Sequence, residues 1–334
     1  MHSRWFNIAV VVLWLSAMSW LTVVKVLPPL LLGEPPSYRN ILEAREDDAA
    51  VGWSIAQGKR ELGWAISTTV RHPGQLAEIH SRVHFDDLRI NDMVHGWLGT
   101  LLQGIAPGID EFTKLKLDAK NTFTVDALGH LLGFQSTVRF ELPEVVMKTA
   151  NLDPGDMVVR MSGTVDEAHL NVTVRLGNLE YTAPASLPRG VMLGDALSPQ
   201  TLLPGLSLGQ TWKVETYSPS VNLSYERPLG YKTERLQATV EDVHRIRWDG
   251  HDLQTWLVVL RSDSGFSFLG NRPPLGRMWV CRDDSVLESG TVVRQEVMVF
   301  DKPMIFERLP GHRIAELEKQ AELLDHSGHT GHGQ

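Results

Sequence analysis

Residues 169–176 read HLNVTVRL, and their alternation decides the fold class. Leu170, Val172, Val174 and Leu176 fall on one side of an extended chain, and Asn171, Thr173 and Arg175 on the other. Successive side chains of a strand point to opposite faces, so this is a strand with one face in a core and one facing water. The same period of two recurs upstream and downstream. Phe134, Ser136, Val138, Phe140 and Leu142 alternate with Gln135, Thr137, Arg139 and Glu141. Leu62, Trp64, Ile66 and Thr68 form another such series, as do Phe123, Val125 and Ala127, and Trp212 with Val214. The expected fold is therefore mainly β, a large curved antiparallel sheet or half-barrel with one or two packing helices.

Turn chemistry separates the strands. Gln57-Gly58-Lys59 joins two of them, and Asp153-Pro154-Gly155-Asp156 is a second turn. Trp248-Asp249-Gly250-His251 places an Asp-Gly pair between apolar runs, a strong hairpin signal. Around Glu241-Asp242 the alternation shifts phase, as a β-bulge requires. Helical spacing is confined to a few stretches. Tyr38 to Ala49 fits a short juxtamembrane helix. Met93, Val94, Trp97, Leu98, Leu101 and Leu102 predict a helix over 91–103 that covers part of the sheet. Ile314, Leu317, Ala321 and Leu324 predict another over 313–324.

The N-terminus carries the signal for location. Trp5 to Val24, WFNIAVVVLWLSAMSWLTVV, contains no charged side chain. At about 1.5 Å per residue such a run spans a hydrocarbon core of about 30 Å. Arg4 precedes it, and Glu34, Glu43 and Glu46 follow, so the positive-inside bias puts the N-terminus in the cytoplasm and the rest outside. The run is long and lacks a clean small-residue cleavage site, which favours an uncleaved anchor over a signal peptide. Pro28-Pro29 ends the helix. The expected organisation is an anchor over 1–33 with residues 5–32 in the membrane, a linker over 34–50 and a first β region over 51–183. A Pro/Gly-rich connector over 184–209, a second β region over 210–311, a helix over 312–325 and a disordered His-rich tail over 326–334 complete it. The two β regions are expected to share one sheet system, since each alone shows few strong strands. The expected location is the inner (cytoplasmic) membrane, single-pass, with the body on the periplasmic side.

From Gly52-Trp53 onwards the landmarks also resemble a known class. Gly63-Trp64, then Leu203-Pro204-Gly205-Leu206 leading to Leu208-Gly209-Gln210-Thr211-Trp212, and Met278-Trp279-Val280 followed by Ser285-Val286-Leu287, are similar to an uncharacterised family of bacterial envelope β domains. These domains resemble the LolA-like class of curved antiparallel sheets, and related segments occur on the N-terminal side of transglutaminase-like modules. Cys281-Arg282-Asp283-Asp284 departs from the family, which shows an acidic residue and a glycine after the Trp-Val pair. The resemblance implies a periplasmic β domain holding an apolar ligand or a partner protein, and it transfers no catalytic residue.

Chemistry is sparse. The sequence lacks G-x-S-x-G, a P-loop, H-E-x-x-H and a dinucleotide-binding glycine pattern, so no cofactor is expected. A net charge of -8 without a basic stripe argues against nucleic acid as a partner. Trp53, Trp64, Trp97 and Trp212 are the candidate lining of an apolar ligand site, set against the plainer reading that large rings pack the core. His326, His329 and His332 are candidate metal ligands, since imidazoles on a tail can wrap one ion, set against a solvated tail with incidental histidines. His80 and His84 flank Arg82 on one strand face. They lie about 13 Å apart in an extended chain, too far to share an ion, and read as surface or lumen-facing residues. Asn171-Val-Thr173 and Asn222-Leu-Ser224 match the glycosylation triplet. The single cysteine, Cys281, is a candidate nucleophile with His312 as base, which would make the chain a thiol hydrolase; a structural cysteine is the favoured reading. The leading expectation is a non-catalytic envelope domain that binds a lipid-like ligand or a partner protein. A structural subunit of an inner-membrane complex is the alternative.

Overall fold

The computed structural model describes residues 4–21, 50–72, 76–89, 113–126, 131–144, 147–148, 157–166, 169–177, 179–186, 192–193, 199–217, 234–263, 273–282, 286–299 and 302–327. Among them are two helices, α1 (Arg4–Leu21) and α2 (Gly311–Ser327). The first eight strands are β1 (Val51–Gln57), β2 (Arg60–His72), β3 (Leu76–Arg89), β4 (Lys114–Val125), β5 (Leu131–Glu141), β6 (Val158–Asp166), β7 (His169–Leu176) and β8 (Leu179–Ser186). The remainder are β9 (Met192–Leu193), β10 (Thr211–Tyr217), β11 (Glu234–Trp248), β12 (His251–Ser262), β13 (Gly276–Cys281), β14 (Val292–Val299) and β15 (Lys302–Arg308).

All fifteen strands form one sheet, in the order β8-β7-β6-β5-β4-β3-β2-β1-β15-β14-β13-β12-β11-β10-β9. Every pairing is antiparallel except the short one between β9 and β10. The first strand pairs with the last, Trp53 against Arg308 and Ile55 against Phe306, so the two β regions are welded at the centre of the sheet. The two edges, β8 and β9, are separated in sequence by residues 187–191 alone. A flat sheet of this many strands holds its edges roughly 65 Å apart at about 4.8 Å per strand. The connecting stretch reaches at most about 20 Å. The sheet must therefore curl round until its edges nearly meet.

The inside of the curl is the core. One row of register partners, Trp53, Ala65, Val83, Ala119, Val138 and Val159, crosses six strands and is buried throughout. Across the weld the core continues through Phe306, Met278, Val258 and Val240 to Ala238 and Trp212. The alternation in β5 and β7 is as the sequence implies, with Phe134, Val138, Phe140, Leu170 and Val172 inside. In β2 the phase differs. A register shift between Ile55 and Ala56 turns Leu62 and Ala65 into the core and leaves Trp64 on the outer face. The run Leu62–Ala65 is buried on both faces because α2 lies over the outside. The connector is not a free linker along its whole length: Leu202 bridges Thr291, and Leu203 joins the core.

The Asp249-Gly250 turn closes the β11–β12 hairpin with both residues at positive φ, 46° and 80°, the conformation a tight hairpin demands. The shift between Val240 and Asp242 is the bulge marked by the phase change at Glu241-Asp242. Helix α2 is longer than the spacing predicts and takes in His326. The helices expected over 38–49 and 91–103 and the turn at 153–156 lie outside the described residues. Helix α1 begins at Arg4 and takes in the apolar N-terminal run as far as Leu21. Among the described residues no helix is long and apolar enough to cross a membrane.

Candidate functional site on the outer face

The tryptophans singled out by their number are not gathered into one site. Trp53 and Trp212, 0% and 2% exposed, are packed in the inner core. Trp64, 7% exposed, stands on the opposite face. Trp97 lies outside the described residues, as do His329 and His332. Among the described residues no three His, Cys, Asp or Glu side chains are grouped to hold a metal ion. Cys281 is fully buried in an apolar cluster with Leu253 and Val293, its thiol 3.7 Å from the Leu287 carbonyl. A nucleophilic thiol needs access and an electropositive setting, and this one has an apolar wall. The arrangement is that of a packing residue.

Polar chemistry gathers instead on the outer face, along one register row. Asp118, His84, Trp64, Ser54, Glu307, Arg294 and Trp279 follow one another from β4 to β13. Helix α2 covers the first part of this row. Ile314 and Leu317 sit on Gly52, where an added Cβ would press against both. Farther along the helix, Arg82 Nη1 donates to the Ala321 carbonyl at 2.6 Å.

Beneath the helix lies a buried ionic cluster. Arg82 forks onto Asp118, with Nε to Oδ1 at 2.8 Å and Nη2 to Oδ2 at 2.9 Å. The two-pronged geometry makes this a strong charge-assisted pair. His84 Nδ1 faces Asp118 Oδ1 at 3.5 Å, and Nε2 lies 3.1 Å from Asp86 Oδ1. The Trp64 ring stacks on the imidazole with centroids 5.5 Å apart. Burial pulls the His84 pKa down, but the neighbouring Asp118 and Asp86 carboxylates outweigh it, and the net shift is upward. Burial pushes Asp118 up, but His84 and Arg82 hold its carboxyl below the usual range. His84 is thus neither a free surface group nor lumen-facing; it is buried among the Trp64 ring and the Asp118 and Asp86 carboxylates. Its neighbour His80 is half-exposed, its Nδ1 3.2 Å from Thr122 Oγ1.

The second part of the row is open and forms a cleft of about 390 Å³. Its floor is Ser54, Glu307 and Arg294 on adjacent strands. One wall is Leu309-Pro310, the lip leading into α2. The other is the β11–β12 hairpin tip, Ile246 to Asp249. That tip is tied down by Trp248 Nε1, which donates to the Arg308 carbonyl at 2.7 Å. The sequence alone does not reveal this cleft. Its residues come from three distant segments, and only the weld of β1 to β15 and the bent hairpin bring them together. The one local cue is the Asp249-Gly250 turn, which fixes where the hairpin ends.

No protein-family model matches the chain, and no curated protein matches it. A solved structure does: the crystal structure of a beta-barrel-like protein of domain of unknown function DUF1849 from Brucella abortus. It is similar at a TM-score of 0.41 with 11% sequence identity, over 79% of this chain and 97% of that one.

Proposed function

We propose that the chain is a single-pass inner-membrane protein whose β body sits on the periplasmic side and acts without catalysis, binding a lipid-like apolar ligand or an envelope partner protein. The observation that supports this reading is the surface of α1. Val10, Val12, Leu13, Trp14, Leu15, Met18 and Trp20 are 44–72% exposed. Residues 12–15 alone complete a full turn, so the helix is apolar all round rather than on one stripe. A helix of that kind belongs in a protein interior or in lipid. Leaving such side chains in water forfeits about 1.5–3 kcal/mol for each that burial would satisfy. In sequence the apolar run continues past Leu21 through Thr22, Val23 and Val24, and the membrane reading counts on those residues to complete the span.

Alkaline carbonate extraction of cell membranes, with protease treatment of spheroplasts, tests the placement. The full-length product should stay in the pellet and its body should be digested from outside. Recovery in the soluble cytosolic fraction overturns the proposal. Mass spectrometry of lipid carried through purification tests the ligand version. Pull-down in mild detergent tests both the partner version and a structural role in a membrane complex, since an apolar helix also packs against other spans.

A further inference from the structure

We draw no further inference here: the strongest candidate, the buried Arg82–Asp118–His84 side-chain cluster on the outer face, offers a pH-sensitive contact that rests only on the raised pKa of His84, and nothing in the structure shows an element that its titration would move.

Discussion

Gly63 shows how one position governs a local fold. A Cβ built there collides with the backbone carbonyl of His84 on the neighbouring strand, and backbone cannot step aside as a side chain can. Gly63→Ala should therefore cost about 3 kcal/mol or more in a urea melt, in the range of severe overpacking. Gly311→Ala is the control, because nothing lies near its Cβ position and its φ is not positive; it should be neutral or stabilising by less than about 1 kcal/mol. The sequence reading put Leu62, Trp64, Ile66 and Thr68 on one face, and the extra residue near Ile55 breaks that phase. Alternation alone does not announce a bulge when both faces are covered, since polar residues then stop marking the outside. The ionic cluster makes a second residue-scale prediction. Replacing Asp118 by Ala removes the two-pronged carboxylate partner of the buried Arg82, which should cost about 3 kcal/mol. His84 supplies a pH signature whose sign follows from its shift. Its folded pKa is raised, so its contribution is complete below the unfolded value of about 6.5 and is lost as pH rises through the folded value. Asp118 is lowered, so its contribution holds above about 3.9 and is lost as pH falls through its folded value. The difference in melting temperature between parent and His84→Gln should shrink as pH rises above about 6.5. A difference constant from pH 5 to 9 would show that the imidazole charge contributes nothing.

Helix α2 is an element whose existence was legible and whose role was not. Its apolar spacing at Ile314, Leu317, Ala321 and Leu324 marks the face that docks, and Leu317 is 8% exposed. What it docks on is set by Gly52, far away in sequence, and by Arg82, whose bond to the Ala321 carbonyl no local pattern foretells. Leu317→Ala should weaken docking by about 2–4 kcal/mol, the usual cost of truncating a buried leucine. Because α2 touches chiefly β1 and β2, the loss should appear first as faster amide exchange in the helix while exchange in the inner strands stays slow. Equal acceleration of both would mean that helix and sheet unfold as one unit. The β11–β12 hairpin is the opposite case. Asp249-Gly250 and the phase change at Glu241-Asp242 specify its turn and its bulge from local residues, whereas the bend that brings Trp248 to Arg308 is a tertiary contact with no sequence mark.

At the scale of the molecule, the chain enters the sheet at its centre, runs outward to β8, jumps the seam, and returns from β9 to the centre at β15. The alternation of individual strands made the β class readable, but alternation says nothing about which strands are neighbours, and the β1–β15 weld joins segments some 250 residues apart, as in the Ser54–Glu307 contact. This path has a consequence for covalent continuity. The one link between β8 and β9 carries residues 187–191, and cutting it severs no pairing among the described strands. The two pieces, 1–188 and 189–334, would still share the β1–β15 ladder and the inner core on both sides of it, where Ile55 meets Phe306. Neither piece alone can cover that surface: the first would expose the edge of β1, and the second the edge of β15, each a template for aggregation. Co-expressed as separate chains, the pieces should therefore co-purify as one complex with the far-ultraviolet spectrum of the parent, while each expressed alone should be insoluble or unfolded. Ile55→Asp in the first piece should abolish the complex, because it puts an unpaired charge into the fully buried weld. Should both pieces instead fold independently and elute apart, the sheet would have to be two self-sufficient halves that merely abut, and the central weld would not be what holds the molecule together.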